Sequence, residues 1–143
     1  MKVVIVSGGF DPIHIGHIRM FREARKLGQL LVAILNKDAF LERKKGYIFM
    51  PFKERKEVLE SIKYINYVFE SCDDDNSVCN SLRALRKEFT NETLVFANGG
   101  DRKYKVNIPE TKVCEELKIE MVFGVGGSDK PQSSSWLVEK ERK

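Results

Sequence analysis

Short apolar runs recur along the chain, and between them lie segments whose apolar residues fall at helical spacing. "KVVIV" (Lys2–Val6) is a continuous β-branched run of the kind buried in parallel sheets. From Gly16 to Leu27, Ile18, Phe21 and Ala24 mark one helical face, and Gly28 supplies a stop. "LLVAIL" (Leu30–Leu35) reads as a second strand, followed by a polar, basic connection, "NKDAFLERKKGYIFM", and a helix from about Pro51 to Lys63. "YINYVFE" (Tyr64–Glu70) is a third strand, and "CDDDNS" carries capping residues for a helix reaching about Phe89. "TLVFAN" (Thr93–Asn98) is a fourth strand, Pro109 opens a helix to about Leu117, and "IEMVFG" (Ile119–Gly124) is a fifth strand. "SSSWLVEKERK" then reads as a terminal helix capped by serines.

This alternation predicts an α/β fold: a Rossmann-like, doubly wound, five-stranded parallel sheet with helices on both faces, as one domain over residues 1–143. Such sheets bind ligands beyond the carboxyl ends of their strands, at the topological switch point. The glycines agree with that rule. "SGG" follows the first strand, "NGGD" the fourth and "GVGGSDKPQSSS" the fifth.

Composition narrows the function. With 42% hydrophobic and 32% charged residues, the chain has the make-up of a globular domain, and no run approaches the about 20 apolar residues of a membrane span. "MKVVIV" is too short for a signal-peptide core, so a cytoplasmic location is expected. The three cysteines, Cys72, Cys79 and Cys114, match no zinc or redox spacing and read as free thiols. The net charge of +4 is spread over interleaved segments such as "FKERKEVLE", which suit solvated helix faces. Neither nucleic acid nor a membrane surface is expected as a partner; a small anion such as a phosphate is the more economical use of the excess.

Both histidines lie in one stretch, "SGGFDPIHIGH" (Ser7–His17). Gly8 and Gly9 let the chain turn off the first strand and bring bare N–H groups toward an anion. Gly16 and His17 begin a helix whose N-terminal amides and dipole favour phosphate. His14 and His17 would flank that site as ring N–H donors, suited to the charge that gathers on a phosphorus under attack. A metal pair is the other use of two histidines at this spacing, but only Asp11 stands near to assist, and no metal residue is assigned.

"GGFDPIHIGH" resembles the signature of the nucleotidyltransferase superfamily with the H-x-G-H motif. "HIRMFREARKLGQLLVAILNKDAFLERKKG" is similar to its cytidylyltransferase and heptose-1-phosphate adenylyltransferase branch, with Gln29 where an aspartate is usual. The resemblance runs from Val3 to about Val138. It implies that His14 and His17 contact a triphosphate and stabilise the transition state, with Lys44 or Lys45 on the phosphates. It gives Gly8, Gly9, Phe10 and Asp11 to the turn at the nucleotide. Gly99, Gly100 and Asp101, in "NGGDR", fall beside the nucleoside. Ser133, Ser134 and Ser135 match a phosphate-binding motif at a helix N-terminus, where they would serve equally as a helix cap. Arg55 and Arg102 fall near the acceptor phosphate, Arg55 having surface pairing with Glu54 or Glu57 as its alternative.

The activity so implied is transfer of a nucleoside monophosphate from a nucleoside triphosphate to a small phosphorylated acceptor, such as a polyol, sugar or amino-alcohol phosphate, with release of pyrophosphate. Mg²⁺ would be held mainly by the triphosphate, and a homodimer is the common assembly of the family. CTP is narrowly favoured over ATP as substrate. "NGGD" leans toward the adenylyltransferases, and the arginine of "R-T-x-G-I-S-T-T" is missing, Lys130 standing near as a point charge. An adenylyltransferase acting on a sugar phosphate and a non-catalytic nucleotide sensor are the alternatives. The acceptor pocket is expected from Lys37–Met50 and Arg102–Pro109, with Tyr47, Phe49 and Tyr104 as lining.

Overall fold

A computed structural model describes residues 1–99 and 109–126. In chain order the elements are β1 (Lys2–Gly8), α1 (Ile15–Arg25), β2 (Leu30–Leu35), α2 (Asp38–Lys45) and α3 (Phe52–Glu60). They continue with β3 (Tyr67–Glu70), α4 (Cys79–Glu88), β4 (Thr93–Gly99), α5 (Glu110–Leu117) and β5 (Glu120–Val125). The strands form one parallel sheet in the order β3-β2-β1-β4-β5. The chain therefore builds outward from β1 to β3, then crosses to β4 on the other side of β1. That reversal makes the carboxyl ends of β1 and β4 the switch point.

Alternation along β1 divides the core. Val4 and Val6 face one cluster with Phe21, Ala24, Leu31, Ala33 and Leu59. Val3 and Ile5 face the other, with Leu82, Leu85, Leu94, Phe96 and Val113. Helices α1 and α3 thus cover one face and α4 and α5 the other, as a doubly wound sheet requires. Each such side chain removed from water contributes about 1.5–3 kcal/mol, and Val3 to Val6 are all fully buried.

The second strand matches its expected span, whereas the third is shorter. Tyr64 to Asn66 belong to the turn before it, where Asn66 Oδ1 accepts the Leu31 N–H at 2.8 Å. The basic connection contains a helix, α2, that hydropathy does not show: Leu41 is its only buried residue. Its end is marked instead by Gly46 at φ 81°, a left-handed cap that glycine adopts without strain. Helix α4 opens as "CDDDNS" suggested. The Asp73 carboxylate accepts the Asn80 and Ser81 N–H groups at 2.7 and 3.0 Å, together with the Ser81 hydroxyl. The expected terminal helix lies outside the described residues. Among the described residues no helix is long and apolar enough to cross a membrane.

Candidate active site

At the carboxyl end of β1 the chain passes through Gly9, Phe10 and Asp11 into α1. Phe10, not a glycine, carries the positive φ of this turn, at 50°. Its ring is buried, 5.2 Å from Phe21 and 4.9 Å edge-on from His17. The glycines before it make room. A Cβ on Gly8 would stand 2.9 Å from the Phe10 ring, and one on Gly9 would stand 2.7 Å from Leu41 Cδ2. Gly8 is thus favoured by its packing against the buried Phe10 ring, and a side chain at Gly9 would have to push aside the end of Leu41.

His14 is the N-cap of α1, in extended backbone, and its Nδ1 accepts the Gly16 N–H at 3.1 Å. His17, three residues on, accepts the His14 N–H at its own Nδ1, 3.2 Å away. This is a reciprocal capping box built from two imidazoles. With both Nδ1 atoms accepting, the neutral rings carry their protons on Nε2, an assignment that follows from the hydrogen-bond network. The rings stack with centroids 3.9 Å apart. No carboxylate lies in the first turn of α1 or of α4, whereas the first turns of α2, α3 and α5 carry Asp38, Glu54 and Glu110. The N-terminal end of a helix is one that favours an anion.

Asp11 is buried, and its carboxylate oxygens accept the N–H groups of Phe49, at 2.7 Å, and Met50. Lys45 leans over this turn, donating to the Asp11 carbonyl at 2.7 Å with its Nζ 3.6 Å from the carboxylate. Of the two adjacent lysines, Lys45 therefore belongs to the histidine corner. Lys44 is exposed, its Nζ 5.6 Å from the Phe40 ring centroid.

Arg55, expected near an acceptor phosphate, is fully buried: its side chain is 0% exposed. The guanidinium donates to the carbonyls of Gly9 and Asn36 from Nη1, both at 2.8 Å, and to the Met50 carbonyl from Nε at 2.9 Å. Nη2 pairs with Asp38 at 2.7 Å, and no pairing with Glu54 or Glu57 occurs. Three of its acceptors are backbone carbonyls, which is why "PFKERKEVL" gives no sign of the arrangement. Asn36 carries no local signal of its own; Asp38, Phe49 and Met50 lie in the Lys37–Met50 segment expected at the acceptor pocket, where they instead bond to Arg55 and Asp11.

Gly99 ends β4 close to α1, where a Cβ would be 3.3 Å from Met20 Sδ. The structure thus gathers Gly8, Gly9, Phe10, Asp11, His14, Gly16, His17 and Lys45 at one corner, with Gly99 across α1. Gly100, Asp101, Arg102, Ser133, Ser134 and Ser135 lie outside the described residues, as do Tyr104 and Lys130. Among the described residues no three His, Cys, Asp or Glu side chains come together to hold a metal ion.

A family model for cytidylyltransferase-like domains matches residues 5–133. The chain belongs to the cytidylyltransferase-like family. This cytidylyltransferase-like chain is 33% identical to the bifunctional protein HldE of Syntrophotalea carbinolica over 96% of its own length and 26% of that protein. It is 40% identical to the glycerol-3-phosphate cytidylyltransferase of Staphylococcus aureus over 48% of its length and 52% of that protein. The chain thus aligns with about a quarter of HldE and about half of the cytidylyltransferase. The crystal structure of the lipopolysaccharide core biosynthesis protein from Thermoplasma volcanium superposes with a TM-score of 0.65 over 87% of this chain and 94% of that one. At 23% identity, that is a likeness of fold.

Proposed function

We propose that this chain is a nucleotidyltransferase that moves a nucleoside monophosphate, CMP by preference, from a triphosphate to a small phosphorylated acceptor. The observation that carries the reading is the imidazole capping box at the switch point, with two Nε2–H donors beside a helix N-terminus that has no carboxylate in its first turn. An acceptor phosphate oxygen attacks the α-phosphorus in line, and the bond from that phosphorus to the bridging oxygen of the β-phosphate breaks. The electron pair leaves with pyrophosphate.

His14 and His17 donate from Nε2 to oxygens whose charge grows in the transition state, and Lys45 adds a cation at the same turn. Their orientation is fixed before substrate arrives, because backbone N–H groups hold both rings at Nδ1. The residues described at the corner suit Mg²⁺ carried by the triphosphate better than a protein-ligated ion, since the Asp11 carboxylate already accepts two backbone N–H groups. When bound, Mg²⁺ would neutralise the phosphate oxygens of the leaving pyrophosphate.

A second reading, AMP transfer to a sugar phosphate, draws on the alignment with HldE across 96% of the chain, against 48% for the cytidylyltransferase. Thermal shift with Mg²⁺ and, separately, ATP, CTP, GTP and UTP tests the base. Pyrophosphate release with glycerol 3-phosphate and sugar 1-phosphates tests the acceptor. A selective rise with CTP supports the first reading and one with ATP the second. Nucleotide binding with no pyrophosphate from any acceptor would favour the sensor.

A further inference from the structure

Arg55 is the largest fully buried side chain among the described residues. It reaches three segments that are far apart in sequence. One is the Gly9 turn, one is the end of β2 with the first turn of α2, and the third is the strap from Gly46 to Met50 between α2 and α3. Met50 is held from both sides: Arg55 donates to its carbonyl, while Asp11 accepts its N–H. A planar guanidinium presents five N–H donors in a rigid fork suited to several fixed acceptors, where an ammonium has three on a rotating head.

We propose that Arg55 is a positioning residue for nucleotidyl transfer, holding the strap and the Gly9 turn in register so that Lys45 and the histidine pair keep their relative placement. The proposal rests on the nucleotidyltransferase reading. It also replaces direct contact between Arg55 and the acceptor. A phosphate reaching this guanidinium would have to displace bonds to Gly9, Asn36, Met50 or Asp38 in a space with no exposed side-chain surface.

The test compares Arg55→Lys and Asp38→Asn with the wild-type chain by amide hydrogen exchange without ligand, and by steady-state kinetics with the preferred triphosphate and acceptor. Exchange at the Phe49 and Met50 amides is expected to quicken at least about tenfold, while Val4 and Leu94 in the sheet keep their protection. Turnover is expected to fall in both variants, more in Arg55→Lys, with acceptor KM little changed. Direct acceptor contact predicts the opposite pattern. Asp38→Asn would then free the guanidinium and lower the acceptor KM, and Arg55→Lys would raise it with turnover kept; that result overturns the proposal. Unchanged exchange at Phe49 and Met50 also overturns it. If Arg55→Lys does not fold, Asp38→Asn carries the same expectations alone. A wild-type chain that releases no pyrophosphate sinks the nucleotidyltransferase reading, and the exchange data still decide whether Arg55 holds the strap.

Discussion

The rings of His14 and His17 stack with centroids 3.9 Å apart and planes 26° from parallel, and each turns its Nδ1 toward a backbone N–H at the start of α1. Structure and chemistry are joined in these two side chains. The nitrogen that caps the helix fixes which nitrogen carries the proton.

The first prediction concerns that division of labour. Two-bond ¹⁵N–¹H correlations on the neutral protein should report the Nε2–H tautomer at both histidines. His14→Ala and His17→Ala should each cut turnover about 10²–10³-fold, on the order of 3–4 kcal/mol of transition-state stabilisation. His14→Asn keeps a side-chain cap and should lose turnover while retaining most of its melting temperature. His14→Ala should lose about 1 kcal/mol of stability as well. Near-wild-type turnover in both alanine variants would rule the mechanism out.

The adjacent lysines should separate cleanly. Lys45 contacts Asp11 at the histidine corner, and Lys44 lies on the exposed side of α2. Lys45→Met should lower kcat/KM by about 10- to 100-fold. Lys44→Met should stay within about threefold, as expected for an exposed charge. Equal losses would mean that the strap rearranges when nucleotide binds.

Glycine substitutions distinguish two kinds of crowding. A Cβ at Gly9 would press on the end of the Leu41 side chain, whereas one at Gly28 would stand 2.6 Å from the Lys2 carbonyl oxygen. A side chain can swing away; a carbonyl in the sheet cannot. Gly28→Ala should therefore destabilise more than Gly9→Ala, within the roughly 1–3 kcal/mol typical of overpacking. Adding Leu41→Ala to Gly9→Ala should recover activity better than stability. Urea melts and initial rates would measure both.

Burial pushes the Cys114 thiol up to about 12, with the Glu110 carboxylate and Cys79 adding to the shift. The unfolded chain ionises that thiol near the ordinary cysteine value of about 8.5. Between those two values the unfolded state holds fewer protons, so stability falls as pH rises. The slope is at most about 1.4 kcal/mol per pH unit. Cys114→Ala should flatten the decline of the melting temperature above pH 9. In the native protein a maleimide should label exposed Cys72 first, half-buried Cys79 more slowly and Cys114 last.

What the sequence could reveal depended on what each residue displays locally. The strands were legible because a buried parallel strand is apolar on both faces, and "LLVAIL" is nothing else. The histidine corner was legible because glycine, capping geometry and the switch point coincide within a few residues. Helix α2 was not, since eight residues that bury little but Leu41 leave no periodic stripe; Asp38 at its start and Gly46 at its end were the available signals. The burial of Arg55 is hidden in the sequence for a related reason. A charged residue among charged residues reads as a solvated face, and nothing local records that its partners are carbonyls far away in the chain.

The central position of β1 has a consequence for the protein's synthesis. Val3 pairs on one side with Leu30, which follows soon after it, and on the other with Leu94, which is made much later. A ribosome delivers β1, α1, β2 and both histidines while one edge of β1 still awaits Thr93 to Phe96. Val3, Val4 and Ile5, fully buried in the finished sheet, spend that interval on an unpaired edge, the kind of surface that invites strands from other chains. The strand that builds the histidine corner is thus also the one the nascent chain must shield longest.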